Sequence, residues 1–226
     1  MRILALETSG RFGSVAAADD GNLLLEKELD QSKRSASSLA PALKELLAQV
    51  GWRPADVELT AVTVGPGSFT GLRIGVATAK AFAYAIGSDV IGVNTLDAIA
   101  RRAPAGQTAR LAAAIDAGRG QVFAAAFERD ASNQWQAIGE TTLGSIDDWL
   151  AQLSPDIAAT GPALLTLADR IPAGVPVVDQ SLWLPTAAGV AEIARLRFLA
   201  GQRDDVWTLA PLYLRRSAAE ETRNRK

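Results

Sequence analysis

The sequence predicts an α/β protein made of two lobes, and three observations support this class. Each half of the 226-residue chain begins with a strand–turn–strand unit and then continues into helices. Pro104-Ala105-Gly106 interrupts the pattern between the halves, as expected at a domain boundary. A chain of this length buries about 70% of the surface that it exposes when unfolded, which is enough for one large core or for the two smaller cores of a two-lobed protein. We therefore place an N-terminal lobe at residues 1–103 and a C-terminal lobe at residues 104–226.

The first lobe opens with a predicted antiparallel meander. Asp19-Asp20-Gly21 separates two runs of strand-forming residues, and Asp-Gly between such runs is a strong hairpin signal. A helix is predicted over residues 36–50, because its apolar residues recur at helical spacing. The strands expected in this lobe are residues 3–6, 13–18, 22–29, 59–64 and 90–93, and a short helix is expected at residues 96–103.

A glycine-rich loop links the fourth of these strands to a predicted helix that ends near Ile86. Its sequence, Gly65-Pro66-Gly67-Ser68-Phe69-Thr70-Gly71-Leu72-Arg73-Ile74-Gly75, lacks the Gly-Lys-Ser/Thr ending of a P-loop. It has Thr70 where the dinucleotide-binding pattern requires glycine, and no carboxylate ends the next strand. The structural alternative is that Ser68 or Thr70 caps the helix, whose free N–H groups would still attract an anion.

Small residues recur at every fourth position of the helix that follows the loop. They are Gly71, Gly75, Ala79 and Ala83. Because such a row lets another helix approach closely, we predict that it serves packing rather than phosphate binding. Arg73 and Lys80 lie off the row and are expected to border a contact surface.

The second lobe repeats the order of the first loosely. Strands are expected at residues 111–115 and 121–127, joined by a turn, and a further strand near residues 175–178. Helices are expected near residues 146–153, 164–170 and 186–200. The polar tail at residues 215–226 carries five basic and two acidic side chains, so we weigh a weak phosphate contact against a solvated tail and favour the latter.

Two turns that contain an acid lie at parallel places in the lobes. Glu7-Thr8-Ser9 follows the first strand of the chain, and Asp116 opens the turn after the first strand of the second half. Actin-like ATPases hold phosphate and metal with acidic turns at such equivalent points. The alternative, which we favour, is that each acid only closes a hairpin as an Asx-type turn.

The composition excludes several classes of enzyme. The chain has no His and no Cys, which removes Ser-His-Asp hydrolysis, Cys proteases and zinc hydrolases. Its net charge of −2 does not favour nucleic acid or membrane surfaces. No apolar run approaches 18 residues, so we expect no membrane span and a cytoplasmic location.

These motifs resemble the TsaB (YeaZ) family of bacterial partner proteins in threonylcarbamoyladenosine synthesis. The resemblance runs from residue 1 to about residue 215 and is most specific at residues 65–75. Three further runs support it: Ile91-Gly92-Val93-Asn94-Thr95-Leu96, Ala114-Ile115-Asp116-Ala117 and Pro211-Leu212-Tyr213-Leu214-Arg215. The chain departs from the family where Ser35 replaces a common His, and where Gly118 and Gln121 replace Arg and Glu.

The resemblance implies an actin-like fold, of the sugar kinase and heat-shock chaperone ATPase class, with a mixed sheet and helices in each lobe. It implies a non-catalytic partner of a TsaD-type enzyme, which transfers a threonylcarbamoyl group to the adenosine beside the anticodon of tRNAs that read codons beginning with A. A homodimer when the chain is alone, a TsaE-type ATPase in the larger assembly and indirect contact with tRNA are implied too. No metal and no tightly bound cofactor are expected, with ATP or ADP and Mg only in the complex.

The alternative function is an actin-like ATPase or kinase that uses Glu7 and Asp116 with Mg, since carboxylate chemistry needs neither His nor Cys. Under the leading hypothesis, the partner surface lies on the helices at residues 36–50 and 72–86. The resemblance implies that these helices form a four-helix bundle with the matching pair of another chain. The residues expected in this surface are Leu39, Leu43, Leu46, Leu47, Gly71, Arg73, Gly75, Val76, Ala79, Lys80 and Ala83.

Overall fold

Two mixed β-sheets with helices on their faces form the framework of the computed structural model, which describes residues 1–30, 35–104 and 108–214. In spatial order, the first sheet contains β3 (Asn22–Glu28), β2 (Ser14–Asp19), β1 (Arg2–Glu7), β4 (Leu59–Gly65) and β5 (Asp89–Asn94). The second contains β8 (Trp135–Ser145), β7 (Gln121–Arg129), β6 (Arg110–Gly118) and β9 (Ile157–Thr160). The helices are α1 (Ser35–Gln49), α2 (Phe69–Ile86), α3 (Thr95–Arg102), α4 (Ile146–Ala151), α5 (Leu164–Leu167) and α6 (Ala187–Leu199).

The two sheets share one pattern, which confirms the repeat expected from the sequence. In each sheet the first three strands in chain order form an antiparallel meander, and later strands add to it in parallel. The predicted hairpin turn between β2 and β3 is present, and Asp20 and Gly21 both have positive φ there. This is the backbone that an Asp-Gly turn favours.

The first sheet is buried on both faces because side chains alternate along its strands. Leu4 and Leu6 of β1 point to one face, where they pack with residues of α1 and α2. Ile3 and Ala5 point to the other face, where they pack with α6. Each fully buried Leu or Ile contributes about 1.5–3 kcal/mol relative to an exposed one, so both helix layers are integral to this lobe.

Helix α3 lies between the two sheets. Its Leu96, Ile99 and Ala100 pack with Leu111 and Phe127 of the second sheet. The opposite face of that sheet is covered by Trp149, Leu150 and Leu153, by Leu164 and Leu167, and by Trp183. The described part of the C-terminal lobe therefore has its own core, with α3 as the shared element.

The last part of the chain returns to the first lobe, which corrects the expected boundary. All strands of the first sheet lie before residue 103 and all strands of the second sheet lie after it, as expected. Helix α6, however, belongs to the range 104–226 that the sequence assigns to the second lobe, and it packs on the first sheet. Residues 202–214, which we call the C-terminal strap, then follow β5 and α2. Ala187 and Ala191 of α6 meet Ala16 and Ala18 of β2, and small side chains on both sides permit this close packing.

Three further differences concern the second sheet. No strand is predicted from the sequence at residues 135–145 or at residues 157–160, where β8 and β9 form the two edges of the sheet. The residues of β8 are mostly exposed. The strand expected near residues 175–178 is reduced to a bridge between Val177 and Ala159. Pro176 has no N–H to donate to a ladder, which limits strand formation there.

Candidate functional site

The two acidic turns adopt the same local structure. Glu7 ends β1, and its Oε1 accepts a hydrogen bond of 2.7 Å from the backbone N–H of Ser9. Asp116 lies in β6, and its Oδ1 accepts a hydrogen bond of 2.7 Å from the backbone N–H of Gly118. Each carboxylate thus holds the backbone two residues further on, which is the structural role that we weighed for both acids.

The two acids differ in burial. Glu7 is fully buried, and its Oε1 also accepts a hydrogen bond from the hydroxyl of Ser9, whereas its Oε2 has no partner. Burial raises the pKa of Glu7 to about 7, against the opposing effect of the bonds from Ser9. Asp116 is exposed. A cation at Glu7 would have to displace a proton near neutral pH, which weakens the case for a magnesium ligand there.

No group of three or more Asp or Glu side chains is placed to hold a metal ion within the described ranges of the chain. Glu7 belongs to the first sheet and Asp116 to the second. The remaining residues expected at a nucleotide site, Thr8 and Ser9, are buried beside Glu7. The hydroxyl of Thr8 has no hydrogen-bond partner, because it faces the backbone of α2 at Gly75.

The glycine-rich loop packs directly on this first turn. The backbone N–H of Ser68 donates to the carbonyl of Ser9 at 2.6 Å, and a Cβ on Gly67 would overlap that same carbonyl. A Cβ on Gly71 would overlap the carbonyl of Thr8. Close approach of two backbones therefore requires these glycines. Of the two capping candidates, Ser68 is the N-cap of α2, since its hydroxyl accepts a 3.3 Å hydrogen bond from the N–H of Gly71.

The row of small residues on α2 faces inward, which corrects the predicted partner surface. Four residues form what we call the inward row: Gly71, Gly75, Ala79 and Ala83. All four are buried within the chain, and Val76 beside them belongs to the core with α1. The predicted close approach does occur, but its partner is the turn after β1 and the first sheet rather than a second chain.

The four leucines expected on α1 are also buried. Leu39 and Leu46 lie in the core of the first lobe. Because they are buried within the chain, like the inward row, they do not belong to a partner surface. Leu43 and Leu47 are buried too, but they form part of the floor of an open groove between α1 and α2. The sequence overestimated the outward apolar surface of α1, because β2, β3 and α2 pack against this helix.

An open apolar groove lies between α1 and α2. It has a volume of about 680 Å³, and Trp52 and Pro54 form part of its lining. We call it the α1/α2 groove. Its remaining lining residues are Ala40, Leu43, Lys44, Leu47 and Ala48 from α1, and Ala77, Thr78, Ala81 and Phe82 from α2. Ala77 and Ala81 belong to a second row of small residues, the outward row Ala77, Ala81 and Ala85, which is exposed.

Arg73 and Lys80 contact the C-terminal strap on the other flank of α2. The Nε of Arg73 donates to the hydroxyl of Tyr213 at 2.9 Å, and its guanidinium lies 3.8 Å from the ring centre of Phe69. The ammonium of Lys80 donates to the carbonyls of Trp207 and Leu209 at 3.0 and 2.9 Å. Both cations therefore have partners within the chain, which the sequence did not reveal.

Comparison with known proteins places the chain in a family. The family model of TsaD, tRNA N6-adenosine threonylcarbamoyltransferase, matches residues 26–171. The tRNA threonylcarbamoyladenosine biosynthesis protein TsaB of Escherichia coli (strain K12) is 33% identical over 227 residues, which cover 97% of this chain and 96% of that protein. The chain belongs to the TsaB family.

Solved structures confirm the fold class for this TsaB-family chain. A Pseudomonas aeruginosa protein described as similar to peptidase YeaZ superposes with a TM-score of 0.83 and 28% identity, over 95% of this chain and 99% of that one. An activator of 2-hydroxyisocaproyl-CoA dehydratase from Clostridium difficile shares the fold, with a TM-score of 0.50 at 12% identity, over 89% of this chain and 97% of that one. The expected two-lobed, actin-like α/β fold is confirmed.

The TsaB-family signature loop and the C-terminal run identified in the sequence meet in space. The N–H of Leu212 donates to the carbonyl of Val64 at 2.7 Å, and Tyr213 lies over Phe69 with ring centres 5.1 Å apart. None of the helices within residues 1–30, 35–104 and 108–214 is long and apolar enough to cross a membrane. The tail at residues 215–226 and the side chain of Ser35 lie outside the described residues.

Several residues of the candidate surface were not identified from the sequence. They line the α1/α2 groove and are Ala40, Lys44, Ala48, Trp52, Pro54, Ala77, Thr78, Ala81 and Phe82. Ala77, Ala81 and Ala85 repeat at the same four-residue spacing as the inward row, so the signal for an outward row was present. It could not be used, because spacing alone does not reveal which side of a helix meets the sheet.

Proposed function

We propose that this TsaB-family chain is the non-catalytic partner of a TsaD-type enzyme, which transfers a threonylcarbamoyl group to the adenosine beside the anticodon of tRNAs that read codons beginning with A. The single observation that carries the proposal is the α1/α2 groove, an apolar concavity on the outer face of the first lobe. Relatives named for tRNA threonylcarbamoyladenosine biosynthesis support the pathway. The chain has no His and no Cys, the side chains that most often act as general base or nucleophile, and this supports a non-catalytic role.

The groove suits a pair of helices from a related subunit. The TsaD family match at residues 26–171 includes α1 and α2, so a TsaD-type subunit has counterparts of both helices. Two related helix pairs can pack in a pseudo-symmetric bundle, in which apolar side chains of one pair enter the groove of the other. A second copy of this chain would use the same surface, so a homodimer of the isolated chain and the heterodimer compete.

The wider assembly follows from this assignment. A TsaE-type ATPase joins the two subunits, tRNA contacts this chain indirectly, and the complex works in the cytoplasm. The isolated chain holds no cofactor tightly, and ATP or ADP with Mg is used within the complex. The buried, partly protonated Glu7 and the turn-closing role of Asp116 support this assignment over the alternative of an ATPase or kinase.

The groove can be tested with Ala81→Asp. Ala81 is exposed in the free chain, so the variant should fold, but a partner helix in the groove would remove the new carboxylate from water at a cost in free energy. We expect at least a 100-fold loss of affinity for the TsaD-type subunit in calorimetry, about 2.7 kcal/mol, and loss of tRNA modification by the reconstituted proteins.

The matched control is Ala151→Asp, which places the same charge on an exposed helix position in the other lobe. It should bind the catalytic subunit as the unmodified chain does. Wild-type affinity for Ala81→Asp, with circular dichroism showing an intact fold, would contradict the proposed function.

A further inference from the structure

Two highly exposed aromatic side chains stand together at the C-terminal end of α2. Tyr84 is 65% exposed and Trp207, from the C-terminal strap, is 69% exposed. Their rings meet edge to face with centres 5.0 Å apart. Such a pair is a favourable aromatic arrangement, yet most of its apolar surface remains in water. The stability of the lobe does not explain why this surface is left uncovered.

Hydrogen bonds within the strap and to α2 hold the backbone of Trp207, and its ring rests on that of Tyr84. The ammonium of Lys80 donates to the carbonyl of Trp207, and Asp205 accepts hydrogen bonds from the N–H groups of Trp207 at 2.6 Å and Thr208 at 3.1 Å. Just before this turn, the N–H of Asp204 donates to the carbonyl of Val90 in β5 at 3.0 Å. An aromatic side chain that is ordered before binding loses little conformational entropy when a partner covers it.

The aromatic pair continues the surface of the α1/α2 groove. Tyr84 follows Ala77 and Ala81 by seven and three residues, so all three lie on the same side of α2. All three are exposed. Arg73 and Lys80, on the flank of α2 that meets the strap, are engaged with Tyr213 and with the carbonyls of Trp207 and Leu209. A partner that lies along the outward row therefore reaches Tyr84 and Trp207 beside cations that already have partners within the chain.

We propose that Tyr84 and Trp207 form the aromatic anchor that holds the TsaD-type catalytic subunit, an inference that rests on the proposed function. The residues that dominate binding energy at interfaces are enriched in Trp and Tyr and lie next to apolar contacts that exclude water. The TsaD family match ends at residue 171, before the strap begins. The strap therefore lies outside the region that matches TsaD, whereas both helices that line the groove lie within it.

The test compares Trp207→Ala with Trp207→Phe in the full-length chain. We expect Trp207→Ala to weaken affinity for the TsaD-type subunit at least tenfold in calorimetry, and Tyr84→Ala to weaken it as well. Trp207→Phe keeps an aromatic ring against Tyr84 and should retain affinity within about threefold. The matched control is Leu199→Ala, since Leu199 is also 65% exposed but lies at the end of α6; its affinity should not change.

Two further measurements decide how a negative result is read. Slow hydrogen exchange at the N–H of Leu212, which is bonded to Val64, shows that the strap is intact in each variant. If Ala81→Asp abolishes binding but Trp207→Ala and Tyr84→Ala do not weaken it, the anchor is overturned and the proposed function stands. If none of the three affects binding, both are overturned.

Two other occupants of the surface are separate outcomes. If Trp207→Ala weakens only self-association of this chain, measured by analytical ultracentrifugation, the pair serves a second copy and the inference is wrong. If it lowers only the affinity of the assembled complex for tRNA, the pair stacks on nucleotides and the inference is likewise wrong. Reduced affinity for the catalytic subunit, with retention by Trp207→Phe, supports the anchor.

Discussion

The inward and outward rows of α2 both consist of small residues at four-residue spacing, but they have opposite roles. Gly71, Gly75, Ala79 and Ala83 form the inward row, and Ala77, Ala81 and Ala85 form the outward row. The inward row packs against the turn after β1, where a Cβ on Gly71 would overlap the carbonyl of Thr8. The outward row is exposed, and two of its members line the α1/α2 groove.

The comparison shows that a row of small residues indicates close approach but not the identity of the approaching element. The inward row meets a turn and a sheet of its own chain, and only glycine fits where two backbones touch. The outward row is free to meet another molecule. The tests below separate the two rows, beginning with the largest expected effect.

The same substitution two residues apart should have opposite consequences. Ala79 is fully buried, so Ala79→Trp forces a large ring into a filled core and should lower the free energy of unfolding by about 4 kcal/mol or more. Ala77→Trp places the ring in the exposed groove and should change that free energy by no more than about 0.5 kcal/mol. Urea denaturation of both variants measures the difference.

Partner binding then completes this comparison. Folded Ala77→Trp should not bind the TsaD-type subunit, because the indole fills the groove. A stable, well-folded Ala79→Trp variant would show that the inward row is not tightly packed. That result would contradict the proposed difference between the inward and outward rows.

The turn beneath the inward row supplies a test by pH. The ordinary pKa of Glu7 is 4.5 and burial raises it to about 7, so the folded chain keeps this proton to higher pH than the unfolded chain. The stability that this group contributes is complete below pH 4.5 and is lost as the pH rises through 7, by an amount on the order of 3 kcal/mol.

Glu7→Gln removes the titration while it preserves the shape of a neutral carboxyl. The variant should therefore gain stability relative to the unmodified chain as the pH rises from 5 to 8, in denaturation measured at each pH. Parallel stability profiles for the two proteins would contradict the raised pKa of Glu7. The outward row takes no part in this effect, so partner affinity serves as the control measurement.

Lys80 lies between the two rows of α2, and its substitution tests whether its hydrogen bonds hold the C-terminal strap in place. Lys80→Met keeps the length of the side chain but removes the hydrogen bonds to the carbonyls of Trp207 and Leu209. We expect a loss of about 1 kcal/mol in the free energy of unfolding, and faster hydrogen exchange in residues 205–212. Lys44→Met, on the exposed side of α1, is the control and should leave strap exchange unchanged. Unchanged exchange in Lys80→Met would show that the strap is held by its other contacts.

Local sequence signals predicted the elements well where the residues involved are close in the chain. Asp19-Asp20-Gly21 forms the expected hairpin, and the apolar spacing of residues 36–50 gives α1. The edge strand β8 was missed because its mostly exposed residues show no clear alternation. The prediction that α6 belongs to the second lobe was wrong, because a helix rich in small apolar residues can pack on either sheet.

The sequence predicted which helices form the candidate site but not which of their side chains are exposed there. The sequence selected α1 and α2, but it assigned the surface to Ala79, Leu39 and Leu46, which are buried. Helical spacing fixes which residues share a face and leaves open which face is covered. Tyr84 and Trp207 could not be paired at all, because they are far apart in the chain and only the strap brings them together.

The sequence by itself determined the class of the fold, the family resemblance and the exclusion of His- and Cys-dependent chemistry, because these depend on composition, on spacing and on one uninterrupted run of residues. The tertiary structure decided which row of α2 meets the core and that Arg73 and Lys80 hold the strap. It also decided that Glu7 is buried, which raises its pKa to about 7. Those properties arise from contacts between distant segments, and burial and electrostatics are set by what surrounds a side chain rather than by its neighbours in the chain.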